Sequence, residues 1–333
     1  MSANELVGAV VIGRNEGERL KACIQSILSQ CNQVIYVDSA SIDNSLEIAK
    51  ELKVDVVSLD LSIPFTAARA RNEGVEKLKE LFPQVKYVQF IDGDCSIEPN
   101  WLNAAVEYLA NNSKVAAVLG YLVEKNPEKS IYNFLCKLEW SGNVGELTDF
   151  GGFGGISMIK LDVFEQVGRF NPQVIAGEDS ELGVRFGLNN YTVVKIDMPM
   201  AQHDANMLKF SQWWKRAVRA GHAIGQRAFL NGNTELADCV KERKSTLVWG
   251  GLIPLIILLI AFFSNGLGLL LFSVYLVLFA RIFNNFRKQH TGALKEAFIY
   301  SAFIVMSKFA NFFGLILFYK NLKQEKFHII EYK

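Results

Sequence analysis

The sequence predicts an α/β domain built on a mostly parallel sheet, followed by a C-terminal region of transmembrane helices. Three observations carry this reading. Over residues 1–200, apolar runs alternate with stretches of helical spacing. Polar residues gather just after those apolar runs. Beyond residue 245 the chain passes into long uncharged segments.

VGAVVIG at 7–13 is a continuous apolar run ending in glycine, and reads as a strand. ERLKACIQSIL at 18–28 has helical spacing, and QVIYVDSAS at 33–41 is apolar until its polar end. NSLEIAKEL at 44–52 is helical, VDVVSLD at 54–60 strand-like and TAARARNEGVEKLKEL at 66–81 helical. KYVQFIDGD at 86–94 is a strand ending in acids. Fully apolar strands separated by helices belong to a parallel sheet covered on both faces. Such sheets bind ligands beyond the carboxyl ends of their strands. There the sequence places Arg14-Asn15-Glu16, Asp38-Ser39 and Asp92-Gly93-Asp94.

Residues 246–263 and 267–280 hold no charge, and Ser264-Asn265-Gly266 between them reads as a tight turn. Counting the second on to about Phe283, each approaches the ~20 residues that cross a bilayer. Lys241-Glu242-Arg243-Lys244 precede the hairpin, and Arg281, Arg287 and Lys288 follow it. The positive-inside tendency therefore puts both of its ends in the cytosol. A third stretch, 297–319, is also long enough, but Lys308 stands in its middle and a basic tail follows. Crossing, lying in the interface and re-entering all remain open for it. The competing reading, buried helices of a soluble domain, has to accommodate three such runs in succession. The expected organisation is a cytosolic domain over 1–230, including an interfacial helix near 208–228, and a membrane region over 245–333.

Composition agrees. Half of the 333 residues are hydrophobic and mean hydropathy is +0.16, which excludes a disordered chain. The five cysteines are few, odd in number and form no C-x-x-C pair, so they read as reduced thiols. The net charge of +1 divides unevenly: residues 245–333 carry nine basic and three acidic groups. The body before them is acidic, which argues against nucleic-acid binding. A greasy basic tail on an acidic body suggests a membrane anchor. Met1 to Glu5 offer no basic lead into an apolar run, so no signal peptide is read and the body is expected in the cytosol.

Five constellations carry chemistry. Asp92-Gly93-Asp94 ends a buried strand, and two carboxylates one residue apart can both reach a hard divalent cation, Mg²⁺ or Mn²⁺; the plainer reading is a turn. Asp38 also ends a strand, where an acid accepts from a ribose hydroxyl or a base N–H, while Asp43 suits a helix cap. Glu178-Asp179 open a helix after Gly177; acids favour a first turn anyway, and the functional alternative is a general base. In DFGGFGGISMIK (149–160), glycines including Gly152, Gly154 and Gly155 let the backbone approach a ligand closely. Neither the dinucleotide nor the Walker signature is present. Finally, His203 is a candidate nitrogen ligand or a plain surface histidine. Arg216, Arg219 and Arg227 lie near one helical side among Trp213 and Trp214. That suits an interfacial helix with guanidinium groups available to phosphates, or a solvated basic face over core tryptophans.

The ordered set resembles a family 2 glycosyltransferase of GT-A fold. It comprises an apolar strand with Asn-Glu-Gly, V-D-S-x-S-x-D-x-S, A-R-A-R-N-E-G, D-G-D, G-E-D, a Trp/Arg helix and then membrane segments. The likeness covers about residues 6–227 and is nearest the bacterial membrane-anchored, non-processive type. It implies that Asn15 and Glu16 line the nucleotide site and Asp38 contacts the base. Arg71 would lie beside the nucleotide, and Asp92 would contact the ribose or metal. Asp94 would ligate Mn²⁺ or Mg²⁺ across the donor diphosphate, with His203 a further ligand. Asp179 would be the catalytic base, supported by Glu178. Arg216 and Arg219 would meet a diphosphate or lipid phosphate, and the glycine loop would face the acceptor. Gln212-Trp213-Trp214-Lys215-Arg216 lacks the Q-x-x-R-W spacing of processive synthases, and Cys95-Ser96-Ile97 replaces the Leu-Gln run usual in polyprenyl-phosphate sugar synthases. The expectation is an inverting, metal-dependent transferase moving one sugar, preferably from a UDP-sugar, to a membrane-associated acceptor. Transfer to polyprenyl phosphate and a non-catalytic scaffold that binds nucleotide-sugars are the alternatives.

Overall fold

The computed structural model describes residues 3–60, 62–140, 142–289 and 294–324. His290 and the basic tail from Glu325 onward, with His328, lie outside the described residues. The chain forms two compact units: Met1–Pro127 with Glu139–Asn206, and Glu128–Leu138 with Met207–Lys333.

In the first unit, a single helical turn α1 (Ala3–Leu6) leads into β1 (Val7–Gly13), α2 (Glu18–Leu28), β2 (Val34–Asp38), α3 (Ser45–Glu51) and β3 (Asp55–Ser58). Then come α4 (Ala67–Leu81), β4 (Tyr87–Asp92), β5 (Cys95–Ile97), α5 (Trp101–Asn111) and β6 (Val115–Glu124). After α6 (Ile131–Trp140), most of which belongs to the second unit, follow β7 (Gly145–Glu146), β8 (Ser157–Lys160), α7 (Leu161–Gln166), α8 (Glu178–Leu188) and β9 (Thr192–His203). One sheet holds all nine strands in the order β3-β2-β1-β4-β8-β6-β9-β5, with β7 also paired to β9.

The half read from the sequence is parallel, as expected: β3 on β2, β2 on β1 and β1 on β4. Val10, Val11, Ile35, Tyr36, Phe90 and Ile91 are buried, because helices cover both faces. Helix α4 is started by Thr66, whose Oγ1 accepts from the Arg69 N–H at 3.1 Å. A Cβ on Gly74 would collide with Val10 and Val37, so the absence of a side chain lets α4 settle onto the sheet. The second half is mixed. β8 runs antiparallel to β4 and β6, β5 and β7 antiparallel to β9, and β9 parallel to β6 with several register shifts. The sequence therefore pointed to the parallel half, and the antiparallel strands turn the sheet into a mixed one.

The second unit contains α9 (Phe210–Asn231), α10 (Val240–Thr246), a π-helical turn Leu247–Leu252, α11 (Ile253–Phe263), α12 (Val274–Gln289) and α13 (Leu294–Gln324). Val240–Phe263, Leu267–Gln289 and Leu294–Gln324 are each long and apolar enough to cross a membrane. Packing groups the helix near 208–228 with these rather than with the sheet, because α9 and α13 fit closely: Gly221 admits the Asn311 backbone, and Gly314 admits that of Val218.

Candidate active site

The carboxyl end of β4, the start of α8 and the glycine loop converge on one buried cation. Arg71 projects from α4 and is 2% exposed. Its Nη1 lies 2.5 Å from Glu178 Oε1, and its Nη2 lies 2.9 Å from Asp92 Oδ1. Burial alone would depress its pKa, but the carboxylates of Asp92, Glu178 and Asp179 outweigh that and hold it above the ordinary arginine value. A Cβ on Gly155 would strike this guanidinium, so the end of the glycine loop must be bare there. Gly154, just before it, has φ 72, in the left-handed region that glycine enters freely. Gly152 is exposed on the same loop. Arg71 is thus a fork joining the D-G-D acid, the G-E-D acid and the glycine loop.

The two acids opening α8 differ in setting. Glu178 is buried and ion-paired, whereas Asp179 is half-exposed. Asp179 Oδ1 accepts from the Ser180 N–H at 2.6 Å and from the Ser180 hydroxyl at 3.2 Å.

A second cluster lies where β5 pairs with the end of β9. This pairing sets Cys95 opposite His203. Asp94 Oδ2 and His203 Nε2 are 3.2 Å apart, and ligand atoms of Asp94, Cys95 and His203 all lie within 4.8 Å of one another. Carboxylate and imidazole fit a small divalent cation. Cys95 fits less well: burial, then Asp92, keep its thiol protonated, and its Sγ points to Asp94 Oδ1 at 3.5 Å. Asp94 and His203 are therefore the pair that would hold a metal. Asp92 is engaged by Arg71 and stands outside that group.

Asp38 and Asn15 occupy the edge that the sequence assigned to a nucleotide, and both are tied into it. Asp38 is 2% exposed; Tyr36 Oη donates to its Oδ1 at 2.9 Å, and the Ser41 N–H to its Oδ2 at 2.9 Å. Asn15, with φ 58, takes the Ile42 N–H on Oδ1 and donates its own N–H to Ser41 Oγ. The Glu16 N–H donates to Ser45 Oγ, and its carboxylate pairs with Arg19 at 2.7 Å. These bonds bind the loop after β1 to the loop after β2, shaping the edge beyond the parallel strands. Asp43 accepts from the Ser45 N–H at 3.0 Å in a turn just ahead of α3; the residue at the cap is Asn44, with no side-chain cap bond, so the capping expected of Asp43 is not what the structure shows.

Sequence reasoning did not find Trp140, Lys195 or Glu124. The Trp140 ring stacks on His203 at 4.6 Å with 13° between planes. Lys195, buried in β9, donates to the carbonyls of Trp140 at 3.2 Å and Gly142 at 2.9 Å, and lies over Tyr121. Burial lowers its pKa. Glu124 accepts from the N–H groups of Asn126 and Ala205, pinning the chain just after His203. Arg216 and Arg219 lie half-buried on α9, in the second unit.

Over residues 9–168 the chain matches the family described as glycosyl transferase family 2. This segment holds β1 to β4, the D-G-D turn and the glycine loop.

Residues 9–168 are a family 2 glycosyltransferase domain.

The glycosyltransferase has relatives consistent with this. It is 25% identical over 232 residues to glycosyltransferase AglE of Haloferax volcanii, covering 65% of this chain and 71% of that protein. It is 26% identical over 135 residues to a probable glucomannan 4-beta-mannosyltransferase 3 of Oryza sativa subsp. japonica, covering 38% of this chain but only 24% of the rice protein. In structure it is similar to the mannosyltransferase PcManGT from Pyrobaculum calidifontis, solved with GDP-Man and Mn²⁺. That likeness has a TM-score of 0.54 at 15% identity and covers 92% of this chain and 86% of the other. It shows the shared GT-A fold.

Proposed function

We propose that this glycosyltransferase moves one sugar from a nucleotide-sugar to a membrane-associated acceptor, with inversion at the anomeric carbon and with the help of Mn²⁺ or Mg²⁺. The observation that carries the reading is the contrast between the two acids that open α8. Glu178 is committed to Arg71, while Asp179 is half-exposed beside it.

In this reading Asp179 accepts the proton of the acceptor hydroxyl. The oxygen then forms a bond to the anomeric carbon as the bond from that carbon to the diphosphate breaks, and the nucleoside diphosphate leaves with the bonding pair. Glu178 and Arg71 set the position of the helix start that carries Asp179. Asp94 and His203 would hold the cation, which when bound neutralises charge on the leaving diphosphate. Trp140 orients the His203 ring by stacking. Asn15, Glu16 and Asp38 shape the edge proposed to receive the nucleotide, and Arg216 and Arg219 are proposed to meet phosphate on a lipid-linked acceptor. The GDP-Man complex of the structural neighbour supports a nucleotide-sugar donor. The apolar helices support an acceptor that resides in a membrane; its cytosolic side is proposed from the basic groups that flank the hairpin.

The test uses purified full-length protein in detergent, a panel of UDP-, GDP- and dTDP-sugars, membrane extract as acceptor, and Mn²⁺ or EDTA. Transfer from one donor is expected, abolished by EDTA and by Asp94→Ala. Asp179→Asn should keep donor binding and lose about 10²–10⁴-fold in turnover. An unchanged rate in Asp179→Asn removes the assigned base, and a product with the donor's anomeric configuration removes inversion.

A further inference from the structure

Lys195 is a buried cation that meets no acid. It stands in β9, 5% exposed, with Leu119 of β6 opposite it on one side and Gly145 of β7 on the other. Among the described residues no carboxylate pairs with its Nζ. Its partners are neutral: the Trp140 carbonyl, the Gly142 carbonyl and the face of Tyr121, 4.7 Å away. The β6–β9 pairing shifts register on both sides of Tyr121, and such a bulge re-aims a side chain. Burying an ammonium without a counter-charge opposes folding, and an apolar side chain of similar length in β9 would not. The reason for a lysine lies in what it holds.

The two carbonyls mark the end of α6. Trp140 is the last residue of that helix, and a helix leaves its final carbonyls without partners of its own, at the negative end of its dipole. Beyond it, residues 142–144 are exposed until β7 joins the sheet at Gly145. One ammonium therefore caps the helix with one bond and holds the departing chain with another.

This helix end carries the indole that lies on the His203 ring. The backbone around His203 is secured without Lys195. Glu124 stands opposite His203 in β6 and takes the Ala205 N–H. What the indole adds is the plane of the imidazole. The two rings are nearly coplanar in direction, 13° apart, and in that plane Nε2 faces Asp94 Oδ2. Metal-binding imidazoles take their orientation, and the metal part of its affinity, from partners that do not touch the ion.

We propose, on the reading that Asp94 and His203 hold the cation, that Lys195 is a positioning residue for that ion. It ties down the end of α6 so that Trp140 lies flat on His203 and the imidazole keeps its aim. Lys195 touches neither ion nor substrate. Removing it weakens the hold on the ion while both ligands stay in place.

The test titrates Mn²⁺ into full-length protein in detergent, with GDP or UDP present, and reads free Mn²⁺ by electron paramagnetic resonance. Lys195→Met keeps the length of the side chain and removes its donors. It is expected to fold, since the carbonyls it releases lie beside exposed residues and can bond water, and to bind Mn²⁺ about 10–100-fold more weakly. A lysine that served the fold alone would shift the melting temperature and leave the Mn²⁺ affinity unmoved. Trp140→Ala is expected to lose a similar factor, and Lys195→Met on that background to lose nothing more. Lys195→Gln, with a donor at shorter reach, repeats the comparison should the methionine variant fail to fold; its loss should be smaller. Parental Mn²⁺ affinity in a folded Lys195 variant overturns the proposal. A full further loss on the Trp140→Ala background overturns it as well, because Lys195 would then act by another route. A parent that binds no Mn²⁺ with either nucleotide removes the Asp94–His203 site and the role of Lys195 with it, a failure seen in the parent rather than in the variants.

Discussion

Arg71 holds two carboxylates that lie 21 and 107 residues from it in the chain. Such a partnership leaves no local trace, so only family likeness gave Arg71 a place, beside a nucleotide. The acids were legible, because an acid after a buried strand or at a helix start stands out against its neighbours. Asp94 and His203 each stood out as a candidate ligand, but the two, 109 residues apart, were joined only through family likeness, and Trp140 gave no signal at all. Replacing Arg71 by Ala leaves Glu178 buried without its cation, and is expected to destabilise the domain by about 3–5 kcal/mol, read as a lowered denaturation midpoint. Arg71→Lys keeps the charge but not the fork; it should fold and lose on the order of 10²-fold in kcat. A kcat near the parent's would remove Arg71 as a positioning residue. The stacked ring offers a separate check. With a nucleoside diphosphate present, paramagnetic Mn²⁺ should quench Trp140 fluorescence where Mg²⁺ does not, and Trp140→Phe should abolish that component. Equal quenching in the variant would place the ion elsewhere.

At the level of elements, strands β1 to β4 were readable because they are apolar throughout and separated by helices of clear spacing. β6 and β9 were harder. Their pairing is broken by register shifts, and β9 carries Lys195 and Asp197 inside a strand. The α9–α13 pair also escaped prediction, since glycines on two distant helices reveal nothing until they meet. His222 lies within that pair, fully buried, with the Phe318 ring edge-on at 5.3 Å. Burial, and then Arg219, lower its pKa from 6.5 to about 4. The unfolded chain therefore takes up the proton first. The stability contributed by neutral His222 is complete above about pH 6.5 and declines as pH falls toward 4, by about 3 kcal/mol in all. The melting temperature in detergent should drop across that window, and His222→Gln should flatten the drop. A variant with the parent's full pH dependence would assign the effect to other groups.

Across the whole molecule, charge and greasiness divide between the body and the tail, and that division was visible in composition alone. What composition left open was whether attraction to lipid charge or insertion holds the protein to a membrane. The exposed leucines and phenylalanines of α11 and α12 favour insertion. At 1 M salt, charges are screened within about 3 Å, so a high-salt wash should leave the protein in the membrane pellet and detergent should release it. Release by salt alone would show that the hairpin does not insert. The two units are also interleaved along the chain, and this bears on how the protein is made. Residues 128–138 leave the ribosome with the first unit, yet their partners come much later: Asn133 Oδ1 accepts from the Met207 N–H, and Tyr132 packs on Phe303. Nascent chains settle from the amino end, so this segment waits, half-dressed, for more than half of its second unit to be synthesised. A chain cut at Asn206 to obtain a soluble enzyme would keep that face bare for good.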